Sequence, residues 1–467
     1  MNLWIEWWLC VRALREGCSR NRTFMWMSVV LLGMSVRSDI LGVTSFVRAG
    51  FLKPSCYKSL LHLFHSDALK LDRLLALWVR LAIRLFTPVA HEGYTVLVAD
   101  GIKAPREGRK MPAVKSLHQE SNNNSKPSYI MGHSFQAVSL LVRGIAGQHF
   151  AVPLVSRICE GVVFSNRDRR TLLDKLTAIF LEVAGPVAAP CILVADAYYA
   201  SRKVILPLLD AGHHLVSRAK INAVAWTPAP QPEKRKRGRP RLYGEKVVLR
   251  SLFDTGRFQS APSPVYGEKD ALIEYLCIDL LWRPVGRLVR FVLVKHPTRG
   301  NIILMTTLLS MQPLDVLRLY ALRFKIETAF RSAVGTLGAY FYHFWMRDMT
   351  PIRSRSGNQY LHRKSDDYRN AVRRKIRAYH AWVQLACIAQ GLLMHLAVNH
   401  HTAVWRRFRS WPRTMRPDMA PSELVVSLAL RQSLPEFLFA GDNQTNIALF
   451  LLENADPLIL PEFALAS

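Results

Sequence analysis

The hydrophobic and polar positions of residues 1–90 repeat with the spacing of amphipathic helices. Two short helices are predicted at 43–50 and 55–65, separated by a glycine and a proline, and a longer one at 69–86. The longest apolar run, Phe24 to Val36, is shorter than the roughly 18 to 20 residues that a membrane span requires, so it predicts a buried helix. Two short helices around a tight turn also resemble a helix-turn-helix, which leaves DNA contact and plain core packing equally open here.

From Tyr94 the pattern changes to short, nearly continuous apolar runs, which are typical of buried strands. Two of these runs, 94–100 and 191–196, end in an aspartate. The predicted order is strands at 94–100, 133–142 and 148–155, a helix at 170–184, a strand at 191–196, a helix at 200–211 and a strand at 214–218. Such an order predicts an α/β layer fold.

Between 221 and 301 the alternation of strands and helices stops. This stretch opens with a proline-rich, basic segment at 226–241 and continues with strand-like runs at 246–253, 273–282 and 287–295. A strand at 302–307 and a long amphipathic helix at 313–331 then restore the earlier pattern. A helix with a continuous apolar stretch is predicted at 374–399.

These changes of pattern divide the chain into five parts. We predict a helical N-terminal DNA-binding region at 1–90, the first part of an α/β core at 91–220, a β-rich insertion with a basic segment at 221–301, the second part of the core at 302–345, and a helical, basic C-terminal region at 346–467.

The charge balance indicates the kind of partner. The chain has 63 Lys and Arg residues against 34 Asp and Glu residues, which gives a net charge of +29. This excess exceeds what solubility needs and is typical of proteins that bind a polyanion, so we expect double-stranded DNA as a partner and no membrane. The sequence also lacks a basic leader with a small-residue cleavage site, which predicts a cytoplasmic location.

The cysteines and histidines give no metal-binding pattern along the sequence. Seven cysteines are scattered and never form a Cys-x-x-Cys pair, which favours reduced thiols over a structural zinc site. Histidines cluster at 62/65, 213/214 and 395/400/401, but no carboxylate or cysteine joins them at ligand spacing. We therefore interpret them as core or surface histidines.

Three acids from distant parts of the chain form a candidate catalytic set. Asp100 and Asp196 end the two matching strands, and Glu327 lies on the late helix. Mg²⁺ is a hard ion that takes one or two carboxylates, so three acids can hold a pair of ions against a phosphodiester. The alternative is that each strand-terminal aspartate only caps the turn that follows it.

The late helix carries two further candidates. Tyr320, Arg323 and Glu327 are three and then four residues apart, so they project within one narrow arc of a helix. A phenol, a guanidinium and a carboxylate on one face could together bind a metal and a DNA phosphate. The alternative is an ordinary ion pair between Arg323 and Glu327 on a solvated face.

Several motifs resemble those of DDE transposases of bacterial insertion sequences. They are Val98-Ala-Asp100-Gly-Ile-Lys, Gly108-Arg-Lys-Met-Pro, Leu117-His-Gln-Glu-Ser121, Tyr129-Ile-Met-Gly-His133, Val194-Ala-Asp196-Ala-Tyr-Tyr199 and Tyr320-Ala-Leu-Arg323-Phe-Lys-Ile-Glu327. The resemblance is to the branch with a Tyr-Arg-Glu-Lys signature and a β insertion before the glutamate, and it covers roughly residues 37 to 345.

This resemblance implies a ribonuclease H-like core, a mixed sheet flanked by helices, interrupted by the insertion. It also implies that Asp100, Asp196 and Glu327 bind two Mg²⁺ ions, with Mn²⁺ as a substitute, while Tyr320 and Arg323 orient the scissile phosphate. The chain departs from the signature at one position, because Val334 stands where the lysine is expected. Arg331, one helical turn after Glu327, is a candidate replacement as a phosphate ligand.

The basic segment contains a second DNA-binding signal. Lys234 to Arg241 holds six basic residues and includes Arg237-Gly-Arg239-Pro, which resembles the core of an AT-hook. In such elements arginines enter a narrow A·T-rich minor groove, so Arg237, Arg239 and Arg241 are candidate contacts. A solvated basic loop or a targeting signal would give a similar string. Trp226 nearby could stack on a base, although a place in the core is the better interpretation.

Basic residues also lie between the first two acids. Lys115 and Lys126 are the DNA-binding candidates, within a loop that also holds Lys103, Arg106, Arg109, Lys110, His118 and His133. A carboxylate site that attracts phosphates needs such positive walls, because the two kinds of anion would otherwise repel each other. Ordinary surface charge explains these residues equally well.

Taken together, these features predict an enzyme that binds terminal inverted repeats, nicks each transposon end with water and joins the freed 3′-hydroxyl to target DNA. Bringing two ends together implies a homodimer. Two alternatives remain open. A transposase relative without catalysis would keep the fold and bind DNA, which Val334 favours, and a ribonuclease H-like nuclease or resolvase would share the three acids without needing a terminal-repeat reader.

Overall fold

The N-terminal part of the chain folds into helices whose apolar faces are buried. The structure, a computed structural model, describes residues 2–119, 127–230, 241–268, 271–409, 414–440 and 445–458. The first helices are α1 (Leu3–Arg12), α2 (Asn21–Val36), α3 (Thr44–Ala49), α4 (Cys56–His65) and α5 (Leu71–Leu85). Every residue from Phe24 to Val36 is buried in α2, as the apolar run predicts. The rings of Phe46 on α3 and Phe64 on α4 both lie against Trp382 in tilted contacts. These two short helices therefore pack their apolar faces into the core.

The next part of the chain alternates strands and helices. Its elements are β1 (Thr87–Pro88), β2 (Ala90–His91), β3 (Tyr94–Pro105), β4 (Lys115–His118), β5 (Tyr129–Arg143), β6 (His149–Ile158), β7 (Val162–Val163), α6 (Leu172–Val187), β8 (Cys191–Ala195), α7 (Arg202–Asp210) and β9 (His214–Arg218). The predicted order of three main strands, helix, strand, helix and strand is confirmed. The first predicted strand was too short, however, because β3 continues five residues beyond Asp100, where it pairs antiparallel with β5.

Residues 221–306 form further strands and a short helix. They are β10 (Val224–Pro228), β11 (Tyr243–Val248), α8 (Leu252–Thr255), β12 (Gln259–Pro262), β13 (Leu272–Trp282), β14 (Arg287–His296) and β15 (Gly300–Thr306). The strand predicted at 246–253 was wrong in its second half, where residues 249–255 turn into short helical segments. The strand at Val224–Pro228 was missed, because it ends in a proline and its basic surroundings hid the pattern.

The strands of both parts join in one mixed sheet. Among the described residues it runs β1-β5-β3-β8-β9-β15-β14-β13-β10-β11, with β6 and β4 on β5, β2 on β3 and β12 on β13. Strands β3, β8 and β9 are parallel to one another, while β5, β6 and β15 pair antiparallel with their neighbours. A mixed sheet with helices packed on it fits the ribonuclease H-like core that the resemblance implies. The strands of 221–301 extend this sheet, and the domain boundaries stay a prediction.

The remaining elements are mainly helical. They are α9 (Pro313–Leu322), α10 (Lys325–Gly335), β16 (Gln359–Tyr360), α11 (Asp366–Asn399), α12 (His401–Arg407), α13 (Glu423–Phe439) and α14 (Asn446–Asn454). Of the described helices, α11 alone is long and apolar enough to cross a membrane, and its apolar window is wholly buried inside the protein. It packs on β6 and on α2, so helices from both ends of the chain share one core.

Candidate active site

Two aspartates lie at the same level on neighbouring strands. Strands β3 and β8 pair in parallel from Thr95 with Cys191 to Val98 with Val194, and Asp100 and Asp196 each follow two residues after this last pair. Each strand is apolar and mostly buried up to that point, so the two acids mark the place where the strands leave the core. The two strands that the sequence predicts to lead to an aspartate therefore lie side by side in the sheet.

The surroundings of the two acids differ. Asp196 caps the short helical turn after β8, because its Oδ1 accepts a hydrogen bond from the backbone N–H of Tyr198 at 2.9 Å. Asp196 therefore does cap the turn that follows it, and no donor to its Oδ2 is found among the described residues. Asp100 lies within β3 opposite Ala137 of β5, and its Oδ1 accepts from the N–H of Gly101 at 2.8 Å.

Asp196 and Glu327 both act electrostatically on Asp100. Burial raises the pKa of Asp100, whose side chain is 22% exposed. The charge of Arg323 and the N–H of Gly101 oppose this rise, whereas the negative charges of Asp196 and Glu327 add to it. Negative charge from three elements therefore meets at this edge of the sheet, which is the electrostatic condition for binding a cation.

Arg323 joins two of the acids. Its Nη1 lies 2.7 Å from Oδ2 of Asp100, and its Nη2 lies 2.8 Å from Oε1 of Glu327. The ion pair with Glu327 that the sequence allowed is confirmed, and the bond to Asp100 is an addition that no local pattern indicates. The three acids do not share one compact ligand sphere in the described part of the chain, where a different set of residues meets that condition.

The helix that carries these residues is not continuous, so the prediction of one helix at 313–331 was wrong. Helix α9 ends at Leu322 and α10 begins at Lys325, with Arg323 in the junction. The backbone N–H of Arg323 donates to Tyr320 and that of Ile326 to Arg323, which are i to i+3 bonds that tighten this turn. Tyr320 still contacts Arg323, and burial raises the pKa of its phenol.

Two buried side chains that the sequence did not single out support Asp100 and Asp196. The hydroxyl of Tyr199 donates to Oε1 of Gln136 at 2.6 Å, and Gln136 lies opposite Gly101 in the β3–β5 pair. A Cβ at Gly101 would lie 2.9 Å from Nε2 of Gln136, so a larger residue there would displace the Gln136 amide. Ser217 on β9 donates to the carbonyl of Asp196 at 2.7 Å. Only pairing across strands reveals Gln136 and Ser217.

The residues after Glu327 differ in exposure. Arg331 is exposed on α10, one turn beyond Glu327, whereas Val334 is half-buried and packs against the main core. The position at which the signature has a lysine therefore carries an apolar side chain that contributes to packing.

Three of the basic residues between the first two acids have partners within the protein. Lys115 lies 3.4 Å from the carboxylate of Glu160. Arg106 covers the ring of Tyr342 at 4.0 Å, and His133 is fully buried with a pKa lowered by burial to about 3. The neutral His133 ring accepts from the hydroxyl of Tyr342 at 2.7 Å, so Arg106 and His133 belong to a core cluster.

The basic segment is only partly described. Lys126, Arg237 and Arg239 lie outside the described residues, and Arg241 is exposed next to β11. Trp226 lies on β10, half-buried, with the guanidinium of Arg283 4.1 Å from its ring centroid. This cation–π contact covers the ring, so the structure favours packing over base stacking for Trp226.

Comparison with known proteins adds one finding. Residues 14–262 match the model of a protein family described as DDE superfamily endonuclease. This range includes Asp100 and Asp196 and ends before Glu327, so the glutamate rests on the geometry alone. A search of curated proteins gave no match.

Proposed function

Because this chain belongs to the DDE superfamily of endonucleases, whose members are nuclease- or transposase-type enzymes that act on DNA and typically use divalent metal ions, we propose that it is a cut-and-paste transposase. It binds the terminal inverted repeats of a bacterial insertion sequence, cuts the DNA at each end and transfers the 3′-hydroxyl to target DNA. Within the superfamily we assign it to the Tyr-Arg-Glu-Lys branch.

One observation carries this proposal. Asp100 and Asp196 lie level on neighbouring parallel strands, and Glu327 is tied to Asp100 through a single guanidinium. Capping explains Asp196 alone, and a helical ion pair explains Glu327 alone. Neither explains why Asp196 and Glu327, from two other elements, both act on Asp100 at the edge of one sheet.

The donor set fits a hard divalent ion. All three residues offer carboxylate oxygens, and the pKa of Asp100 is raised partly by its two acidic neighbours, a cost that a bound cation would relieve. We propose that Asp100, Asp196 and Glu327 hold two Mg²⁺ ions, or Mn²⁺ in their place. Bound there, the ions would acidify the attacking water or 3′-hydroxyl and stabilise the leaving oxygen.

The neighbouring side chains then position DNA. Arg323, with a side chain 18% exposed, presents a planar donor fork to the same edge as the acids, and a phosphate would be held in the same bidentate way as a carboxylate. Tyr320 contacts Arg323 and limits its orientation. Arg331 is exposed one turn further along α10 and contacts the DNA backbone beyond the cut.

The rest of the chain provides affinity for the DNA. A net charge of +29 supplies sequence-independent attraction to phosphates. Arg237, Arg239 and Arg241 add contacts to the minor groove, and Lys115 and Lys126 add backbone contacts. Two transposon ends are held by a homodimer, in the cytoplasm of a bacterium and on its nucleoid.

A second candidate has one observation in its favour. Val334 packs against the core at the position of the signature lysine, so a phosphate contact of the signature is missing. A transposase relative that has lost catalysis and only binds DNA would tolerate this change. The two candidates differ in whether the wild-type protein cleaves its own ends.

The test is a cleavage assay on duplexes that carry the element's native termini, with Mg²⁺ or Mn²⁺. We expect Asp100→Ala, Asp196→Ala and Glu327→Ala each to abolish cleavage and to leave end binding within a few fold. Asp254→Ala, a change of an exposed acid on α8, is the matched control and should cleave like wild type. If a variant of one of the three acids cleaves like wild type, that acid is not a metal ligand. Wild-type binding without cleavage would support the non-catalytic candidate.

A further inference from the structure

A second cluster of ligand-type side chains lies away from the carboxylate site, between the first helix and the end of the longest one. Glu6 and Cys10 of α1 meet His395 of α11, and the carboxylate oxygen, the sulfur and the imidazole nitrogen all lie within 4.8 Å of one another. In the described part of the chain this is the one group of His, Cys, Asp and Glu side chains that meets this condition. It uses the histidine cluster that the sequence left without a partner.

Helix geometry explains why these residues converge. Glu6 and Cys10 are four residues apart, so they lie on the same face of α1. Nε2 of His395 is 3.4 Å from Oε1 of Glu6, and Nε2 of His400, just beyond α11, is 3.7 Å from the same oxygen. The two imidazole rings meet edge to face with their centroids 5.1 Å apart. His400 thus lies beside this three-residue group, close to Glu6, as a candidate fourth donor.

The interior of the cluster is poor in protein partners. Cys10 is 4% exposed and His395 5% exposed, and no hydrogen bond of the Cys10 thiol is found among the described residues. Burial, with a smaller contribution from Glu6, raises the pKa of Cys10 to about 12. Burial lowers the pKa of both His395 and His400, which leaves their lone pairs available at neutral pH.

Groups around the cluster orient His395. The side-chain amide of Asn399 lies 2.8 Å from Nδ1 of His395 and donates to the carbonyl of Leu85 at 2.8 Å. This carbonyl also acts on the His395 ring as a hydrogen-bond acceptor. An amide nitrogen only donates, so in the contact with Asn399 the Nδ1 of His395 accepts and Nε2 carries the proton. Zinc binding at Nε2 requires the other tautomer, in which Nδ1–H donates to the carbonyl of Leu85, as is common among histidines that bind metals.

We propose that Glu6, Cys10, His395 and His400 bind one Zn²⁺ ion and so fasten α1 to the end of α11. One sulfur, two imidazole nitrogens and one carboxylate oxygen form a mixed set that suits tetrahedral Zn²⁺ and does not suit Mg²⁺, which prefers oxygen ligands. Four protein ligands leave no open position, so this is a structural site and takes no part in the cleavage chemistry. The ion links Glu6 and His395, which are 389 positions apart in the chain.

The experiment uses the full-length protein, stripped of metal with a chelator and titrated with Co²⁺ as a spectroscopic substitute for Zn²⁺. We expect one equivalent of Co²⁺ to produce tetrahedral absorption bands together with a sulfur-to-cobalt charge-transfer band. Zn²⁺ should displace these bands, and excess Mg²⁺ should not. A wild-type protein that shows no sulfur-to-cobalt band overturns the proposal.

Two matched variants assign the ligand. Cys10→Ser should lose the charge-transfer band and bind Zn²⁺ about 100-fold more weakly or worse, since even changes outside the ligand sphere cost 10- to 100-fold. Cys18→Ser should keep the band, because Cys18 is equally buried but its thiol lies 3.7 Å from the sulfur of Met27. If Cys10→Ser keeps the band, the proposal is wrong.

A third variant tests the site if circular dichroism shows that Cys10→Ser is misfolded. His400→Gln changes a more exposed ligand, 17% exposed, and should retain the sulfur band while weakening Zn²⁺ at least tenfold. Unchanged affinity in His400→Gln would contradict the four-ligand site. None of these measurements uses DNA, so their outcome is independent of whether the protein is a transposase.

Discussion

Arg323 binds Asp100 across 223 positions of the chain, with Nη1 2.7 Å from Oδ2. The same guanidinium holds Glu327 four residues away. One arginine therefore balances two of the three acids that we assign to metal binding. Its charge lowers the pKa of Asp100, yet burial outweighs this effect and leaves the pKa raised.

The first prediction concerns stability and pH. Because the pKa of Asp100 is higher in the folded state than its ordinary value, this group contributes most to stability below that ordinary value, and the contribution is lost as the pH rises through the folded pKa. With metal removed by EDTA, Asp100→Asn should melt at a higher temperature than wild type at neutral pH, and the difference should shrink in acid. Thermal melts across the pH range measure this.

The control for that prediction is Asp254→Asn, which changes an exposed acid and should leave the melting temperature unchanged. If Asp100→Asn melts lower than wild type at neutral pH, the ion pair with Arg323 outweighs the cost of burying the charge, and the predicted sign is wrong.

The second prediction concerns the missing signature lysine. If Arg331 supplies the phosphate contact, Arg331→Ala should slow end cleavage at least tenfold, about 1.4 kcal/mol in the barrier. Adding Val334→Lys should partly restore it, since Val334 is only half-buried and a lysine there can extend its amine to solvent. Single-turnover cleavage rates would show this. Equal rates for Arg331→Ala and for Arg250→Ala, a change of an exposed arginine elsewhere, would remove Arg331 from the site.

The third prediction concerns the basic segment, most of which lies outside the described residues. Arg239→Ala should weaken binding to A·T-rich duplexes more than to G·C-rich duplexes, because a narrow minor groove attracts an inserted guanidinium. Binding isotherms at several salt concentrations give both affinities and a slope of about −0.9 per phosphate neutralised. An equal loss on both duplexes would reduce this segment to a general basic loop.

The fourth prediction concerns packing between α5 and α11. A Cβ at Gly391 would lie 2.2 Å from the ring of Trp78, which is fully buried and donates from Nε1 to the carbonyl of Pro153. Gly391→Ala should therefore destabilise the protein by about 1–3 kcal/mol although alanine favours helices. Gly335→Ala, at a helical glycine with open space around it, should be neutral or stabilising by up to about 1 kcal/mol. Denaturant unfolding compares the two, and similar effects would contradict the clash.

Local pattern was sufficient for much of the fold. The apolar run from Phe24 to Val36 became a buried helix, and the two strands that lead to Asp100 and Asp196 became the parallel pair of the site. These elements were predictable because each has a strong period or a continuous apolar character within a few turns of chain. The ion pair of Arg323 with Glu327 was predictable for the same reason, since both residues lie on neighbouring turns.

Elements whose state depends on distant partners were not predictable. The polar end of β3 beyond Asp100 is a strand because β5 pairs with it, and β10 is a strand because β11 and β13 flank it. The tightened turn at Arg323 likewise could not be seen in an amphipathic pattern that runs smoothly from Pro313 to Arg331. Tertiary contacts decide such cases because their local preferences are weak.

By itself, therefore, the sequence determined the residue types of the carboxylate site, the strands that present two of its acids and the net positive charge of the chain. Only the tertiary structure decided that Arg323 also bonds Asp100, that Gln136 lies opposite Gly101 on the neighbouring strand, and that Glu6 and Cys10 meet His395. The physical reason is the same in each case. Periodicity places a side chain on a face of its own element, but the packing of elements far apart in the chain decides what that face meets.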